Sequence, residues 1–257
     1  VVYEPPRTKS GYYFIDEINR QVKKLLNIPS LTTASYTVYS TLNSDLQKVT
    51  DRALQDGLRA YEAQAGRATF SGPVGSIAAD IEKYKKTWQE VLPTARPKLF
   101  DVQWTLATVV QASQKVQVNR ANGRVSYLSQ PVRVGLADGR IVPLVAGTNA
   151  INSLKLYDLV FVNVGAGKNA RAELRIPPVV QGAVIVMENK SGRVLAMSGG
   201  FSFAQSQLNR VTQTARQTGS TLKPFIYLSA LQSGLQPNTL IPDEAIQFPP
   251  INKGGHA

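Results

Sequence analysis

Ser220 and Lys223 stand three positions apart in "RQTGSTLKPF", residues 216–225, with Pro224 directly after the lysine. If these residues open a helix, positions i and i+3 share a face, and the lysine amine comes within hydrogen-bond reach of the serine hydroxyl. Pro224 supports that placement. A helix interior rejects proline, whereas the first turn has N–H groups without intrahelical partners and tolerates it. The serine then sits at the positive end of the helix dipole, which disfavours an ammonium nearby and stabilises an oxyanion, so the lysine pKa is expected to be depressed. A neutral Lys223 takes the Ser220 proton and leaves an alkoxide able to attack a carbonyl. The bland alternative is a serine N-cap beside a solvated lysine, and the spacing alone does not separate the two. Gly219 permits a tight backbone entry, and "PFIYLSAL" gives the helix an apolar body that points to burial in a core.

The elements that position this pair can be read along the chain. Residues 1–10 read as an extended linker, and Phe14, Ile15, Ile18, Val22, Leu25 and Leu26 predict an amphipathic helix ending before Pro29. "YTVYSTL" (36–42) reads as a strand feeding a helix of about five turns, with Ser44 and Gln47 fitting a capping box and Leu46, Val49, Ala53, Leu54, Leu58 and Tyr61 forming its apolar stripe. "IAADIEKYKKTWQEVL" (77–92) predicts one further helix. From Phe100 the periodicity changes to two. Seven short strand candidates, broken by Asn122-Gly123, Asp138-Gly139 and "GAGKN", predict a small β-barrel or sandwich, with an OB-like barrel the first choice. "VQGAVIVMEN" and "GRVLAMSGG" form a hairpin turning at "NKSG", residues 204–215 read as helical or irregular, and the helix holding Lys223 ends near Gly234.

The 257 residues carry 29 Lys plus Arg against 17 Asp plus Glu, a net charge of +12, and residues 98–177 hold ten basic and four acidic groups of these. Such a field suits nucleic acid, an anionic membrane face, an anionic wall polymer or simple solubility. Cysteine is absent, which removes disulfides and thiolate metal sites. The longest nearly apolar stretch, "VVQGAVIVM", is far shorter than the ~20 residues of a spanning helix. The chain opens at Val1 and stops in the loop-like "PPINKGGHA", so it reads as a piece of a longer protein.

"GAVIVMENKSGRVLAMSGG" followed by "LNRVTQTARQTGSTLKPFIYLSAL" closely resembles the first part of the transpeptidase domain of class A penicillin-binding proteins. The resemblance is strong over 178–235, fair over 36–62 and 154–178, and weak from 74 to 150. Ser-x-x-Lys is that family's own motif, so the resemblance implies, beyond anything the spacing can say, that Ser220 is the nucleophile and Lys223 the general base. It implies an α+β, penicillin-binding/β-lactamase-like transpeptidase fold, present in part, with an inserted all-β OB-like domain. Residues 1–33 would be a linker and helix after an upstream domain, and 34–73 the first strand and helix of the transpeptidase domain. Residues 74–177 would be the insert, β-rich from about 98, and 178–257 the N-terminal part of the transpeptidase domain.

The activity so implied is D,D-transpeptidation. The serine attacks the D-Ala-D-Ala peptide of a peptidoglycan stem, D-Ala leaves, and an amine of a neighbouring stem takes the acyl group. The Ser220 backbone N–H would form half of the oxyanion hole. Implied partners are stem peptides, glycan strands, β-lactams and other wall-synthesis proteins; no metal or organic cofactor and no nucleic acid is expected. The implied location is the outer side of the bacterial inner membrane, held by an N-terminal segment outside this chain, in a parent that also polymerises glycan. Thr218 and Leu222 depart from the family's usual residues without touching the chemistry. The later Ser-x-Asn and Lys-Thr/Ser-Gly elements do not appear in the 34 residues after Lys223, so the fragment alone is expected to be inactive.

Other motifs carry less. "KSG" at 190–192 precedes the nucleophile and reads as a hairpin tip, "GAGK" (165–168) as a turn, Trp88 and Trp104 as core, and His256 as a loop residue. Asn209 and Arg210, a few residues before Ser220, are candidates for orienting the site or for a structural role. Two other functions stay open: a non-catalytic OB-like module for an anionic polymer, and a Ser-Lys carboxypeptidase or β-lactamase. Interleaved aromatic and basic residues mark barrels that bind single strands, and residues 98–177 offer only Phe100, Trp104, Tyr127, Tyr157 and Phe161.

Overall fold

The computed structural model describes residues 10–31, 36–119, 125–167 and 169–245, and the side chains of 115–119 and 125–129 are not described. The expected linker at 1–9, the Asn122-Gly123 turn, Lys168 and His256 lie outside the described residues. The chain divides into two units, Val1–Thr214 and Ala215–Ala257.

In the first unit, α1 (Tyr12–Leu26) forms where the 3–4 spacing predicted it and closes on Asn27 in the left-handed region. The segment 36–43 is a correction. It is extended but carries no ladder; Thr41 Oγ1 donates to Val194 O, and the Asn43 N–H donates to Leu195 O at 2.9 Å. Asn43 then ends it by capping α2 (Ser44–Gln64), its Oδ1 accepting from Asp45 N and Leu46 N at 3.1 and 3.0 Å. The predicted Ser44–Gln47 box is absent because the cap sits one residue earlier and Gln47 is buried in other bonds.

After β1 (Gly75–Ser76), the helix expected over 77–92 proves to be two, α3 (Ala78–Tyr84) and α4 (Trp88–Val91). Lys85 at φ 52 breaks the run, and Thr87 with Glu90 builds a capping box that restarts it. The β region follows as β2 (Thr105–Gln111), β3 (Lys115–Asn119), β4 (Val125–Ser129), β5 (Arg133–Leu136), β6 (Ile141–Val145), the short α5 (Thr148–Ser153), β7 (Asp158–Val164) and β8 (Ala172–Arg175). Strands β7, β2, β5, β6 and β8 pair in that order and β8 returns to β7, closing a five-stranded barrel in which only β6–β8 is parallel. β3 and β4 form a hairpin extending from the β2–β5 connection. At Asp138-Gly139 the glycine takes φ 85, its N–H bonds to Leu136 O, and Leu136 N bonds to Arg140 O, which joins β5 to β6 in a tight loop.

Strand β7 explains its nearly unbroken apolar sequence. Val160 and Val162 point into the barrel with Val109, Val134 and Leu144, while Leu159 and Phe161 face a second cluster with Ile77, Val91, Trp104 and Phe201. Trp104 is in the core, edge-on to Phe161, as expected. Trp88 lies against β5 so closely that a Cβ at Gly135 would stand 2.5 Å from its ring. The unit continues as the antiparallel hairpin β9 (Val184–Met187) and β10 (Val194–Ser198), with α1 and α2 against β10. Gly192 at φ 70 turns the tip, so Lys190-Ser191-Gly192 forms the expected hairpin turn.

Candidate active site

The second unit contains the Ser-x-x-Lys pair and is described by itself. Gly219 at φ 53 enters a 3₁₀ turn over Gly219–Leu222, which runs directly into α6 (Lys223–Gln232) with Pro224 in its first turn. The Lys223 backbone N–H donates to Ser220 O, so the pair is bound through the main chain within a single turn, as the proline required. Among the described residues no hydrogen bond joins the two side chains, and both residues are exposed. The helix ends as expected: Gly234 takes φ 93, Gly234 N bonds to Leu231 O at 3.0 Å and Leu235 N to Ala230 O at 3.1 Å, a Schellman closure.

The expected burial of this helix is not found. Phe225, Ile226, Tyr227, Leu228 and Leu231 are all about half or more exposed, and they lie all round the helix. A helix apolar on every face satisfies itself only when covered on every face, and the described residues of this unit do not do so.

The residues leading to the pair are ordered differently. Asn209, fully buried, accepts from Val211 N through Oδ1 at 3.1 Å and donates its own N–H to Gln213 Oε1 at 2.8 Å. Arg210 donates from its backbone and from Nη1 to Gly199 O at 3.2 and 3.3 Å. Tyr13 OH reaches Ser206 O at 2.6 Å, and burial pushes its phenol up. "AQSQLNRVTQTA" is thus irregular, a series of turns and not a helix.

Sequence reasoning missed the buried face of α2. Of the predicted apolar stripe, Leu58 packs on the second cluster while Val49 and Tyr61 prove exposed, and the fully buried face of the helix carries Gln47, Asp51, Gln55 and Glu62. Gln47 pairs in both directions with the Met197 main chain at 2.9 Å. Asp51 accepts from Gly11 N and Gln47 Nε2, and burial pushes its carboxyl up to about 6. Gln55 donates to Asp101 O and Phe201 O and accepts from Gln103 N. Glu62 accepts from Val179 N and Val180 N. Asp101, also raised by burial, takes Ser202 Oγ and Phe203 N. The signal was present as a polar repeat at i, i+4 and i+8 on one face. Trp104 and Phe161 are buried, which leaves neither ring available as a stacking platform on the barrel.

A model of the penicillin binding protein transpeptidase domain matches residues 182–254, the hairpin and the Ser-x-x-Lys helix together. This chain belongs to the penicillin-binding protein family, with part of its transpeptidase domain. It is 30% identical over 249 residues to penicillin-binding protein 1A of Rickettsia typhi, covering 94% of this chain and 28% of that protein. It is likewise 30% identical over 233 residues to penicillin-binding protein 1A of Neisseria flavescens, covering 88% of this chain and 27% of that protein. The crystal structure of penicillin-binding protein 1A from Haemophilus influenzae superposes with a TM-score of 0.60 over 100% of this chain and 35% of that one, and at 22% identity that likeness speaks for the fold alone. The chain therefore spans under a third of the length of these curated relatives.

Proposed function

We propose that these residues carry the nucleophile of a D,D-transpeptidase, with Ser220 as the attacking hydroxyl and Lys223 as its proton acceptor. The observation that carries the reading is the Ser220–Lys223 turn: a left-handed Gly219, a 3₁₀ turn and a proline-started helix, all within the stretch the family model matches. That arrangement sets the serine at the N-terminus of α6, where unpaired N–H groups and the helix dipole favour negative charge on a developing oxyanion. Ser220 Oγ bonds to the carbonyl carbon of the penultimate D-Ala as its proton passes to Lys223 Nζ. Collapse of the adduct expels D-Ala, which takes a proton, and an amine of a second stem then displaces the serine from the acyl-enzyme. A β-lactam follows the first half and stops there, because its ring opens without a group leaving the site.

The substrates on this reading are peptidoglycan stems, in a parent at the outer side of the inner membrane that also polymerises glycan. The inserted barrel is read as OB-like. Its five strands follow the order of that fold, with a short helix between the third and fourth and the third parallel to the fifth.

Labelled penicillin tests the reading. The longest native chain containing these residues should form a stable covalent adduct at Ser220, and Ser220→Ala should lose it; undiminished labelling of the mutant removes Ser220 as nucleophile. Rapid release of hydrolysed β-lactam, in place of a stable adduct, would instead favour a β-lactamase.

A further inference from the structure

We infer that residues 55–62 of α2 form a clamp that makes the barrel and the β9–β10 hairpin one cooperative body, so that a ligand or load on the barrel is felt at the hairpin. The inference stands apart from the role given to Ser220. Every residue it uses lies in the first unit.

The chain enters the barrel through Asp101–Trp104, just before β2, and leaves it through Arg175–Val180, ahead of β9. A body hung on two such crossings pivots unless something holds them. Here both are fastened to about two turns of one helix. On the entry side, Gln55 Nε2 donates to Asp101 O at 3.3 Å, Gln55 Oε1 accepts from Gln103 N at 2.9 Å, and Asp56 Oδ1 accepts from Trp104 Nε1 at 2.8 Å. On the exit side, Arg59 pairs with Glu173 at 3.5 Å, Asp56 pairs with Arg175, and Glu62 accepts from Val179 N and Val180 N at 3.1 and 2.8 Å. The same turns hold the hairpin. Gln55 Nε2 also donates to Phe201 O at 3.2 Å, just past β10, and a Cβ on Gly182, just before β9, would stand 3.0 Å from Leu58.

Asp56 is where the two crossings meet. Its Oδ1 takes both the Trp104 indole N–H and the Arg175 guanidinium, and the Arg175 Cζ stands 5.2 Å from the Trp104 ring centroid. Entry, exit and helix are thus closed into a triangle of charge-assisted hydrogen bonds and a cation–π contact. Behind it, Trp104 packs edge-on to Phe161 of β7 and tilted on Phe201, with ring centroids 5.9 and 5.4 Å apart. One apolar cluster therefore runs from the outer face of the barrel to the end of the hairpin, while Val109 belongs to a second cluster inside the barrel. Opening the barrel uncovers Trp104 and Phe201 and strips Gln55, Asp56 and Glu62 of their partners, so the hairpin loses its support in the same event. Linkage makes the effect reciprocal: whatever stabilises the barrel stabilises the hairpin, and the converse.

Amide exchange read by mass spectrometry tests the clamp in the longest native chain, under conditions where exchange reports opening equilibria, with β5 and β7 reporting the barrel and β9 and β10 the hairpin. Val109→Ala truncates a fully buried side chain of the barrel core, in the cluster that does not hold Trp104. It should speed the slowest exchange of both regions by the same factor, about tenfold or more. Placed in a chain that already carries Asp56→Ala and Arg175→Met, the same substitution should still speed the barrel but change the hairpin by less than about twofold. A parent chain in which Val109→Ala speeds the barrel and leaves the hairpin within twofold overturns the inference, because the two would then open independently. Equal acceleration of both regions in the Asp56→Ala, Arg175→Met chain overturns it too, since the coupling would lie elsewhere. If that chain does not fold, Asp56→Asn decides. It keeps an acceptor for Trp104 Nε1 but loses the ion pair with Arg175, so the hairpin should respond to Val109→Ala at least about threefold less than the barrel does, and equal responses count against the clamp.

Discussion

Helices α2 and α6 are opposites. α2 buries a row of amides and carboxylates, each matched to a main-chain or side-chain partner elsewhere in its unit. α6 is apolar on all sides, and the described residues of its unit leave those sides uncovered. Directed hydrogen bonds to irregular backbone can be completed within these residues, because each polar group needs only its own partner atoms. Apolar surface is satisfied only by area, and the described residues around α6 do not supply it. The contrast separates a helix whose polar groups find their partners in the first unit from one whose apolar faces stay exposed among the described residues.

The largest expected effect tests the chemical side. Lys223→Ala should lower the rate of Ser220 acylation by about 10²–10⁴ with the site of labelling unchanged. Lys223→Arg should not restore it, because a guanidinium stays protonated and cannot accept the serine proton. A rate near the parent's in either variant would leave the pair as a helix start with no proton-transfer role.

On the scaffold side, Glu62→Ala strips the acceptor from the Val179 and Val180 N–H groups, which lie just before β9. Hydrogen bonds to a buried charged group make the expected loss about 3 kcal/mol of unfolding free energy, read by urea denaturation. A loss under about 0.5 kcal/mol, the size of a neutral surface change, would mean the buried polar face is not what holds α2.

These two helices also show what was legible in the sequence. Pro224 and Gly219 announced the start of α6, and Gly234 its end, because proline and glycine act through backbone geometry that no partner can alter. The short period-two strands β2, β5 and β6 announced a barrel or sandwich for the same local reason, and Asp138-Gly139 one of its turns. The α2 stripe was misread because Leu46, Val49 and Tyr61 have helical spacing too, and spacing does not say which of two faces meets the core. Only the positions of Met197, Asp101, Phe201 and Val179, far off in sequence, make the polar face the inner one. The extended 36–43 segment lacks a ladder because its bonds go singly to Val194 and Leu195, again a matter of tertiary partners. Burial of α6 was inferred from its apolar body, which states a need for cover and not its source.

A smaller effect is read against pH. Burial holds the Asp51 carboxyl at about 6, with the nearby Asp101 carboxylate raising it further and Gly11 N–H, Ser198 and Gln47 pulling it down. The folded chain then keeps a proton that the unfolded chain, at an ordinary carboxylate value, has released. Stability therefore rises as pH falls through about 6 and levels off near about 4. Between about pH 7.5 and 5.5 the gain is expected to be about 1 kcal/mol from this group, with Asp101, also raised, acting in the same direction. Asp51→Asn should flatten the slope, and a wild-type chain that loses stability over this interval would contradict the burial of the Asp51 carboxyl.

The smallest expected effect sharpens the comparison most. Phe225 is 67% exposed, so Phe225→Ala in residues 1–257 removes surface that water already covers, and the unfolding free energy should change by less than about 0.5 kcal/mol. The same substitution in a chain extended to the length of the relatives is expected to cost about 3 kcal/mol or more, the range for a truncated phenylalanine in a core. The ratio of the two costs measures how much of the cover for α6 comes from outside these residues. Equal small costs in both chains would mean that the helix beside Ser220 stays in water in the longer chain as well.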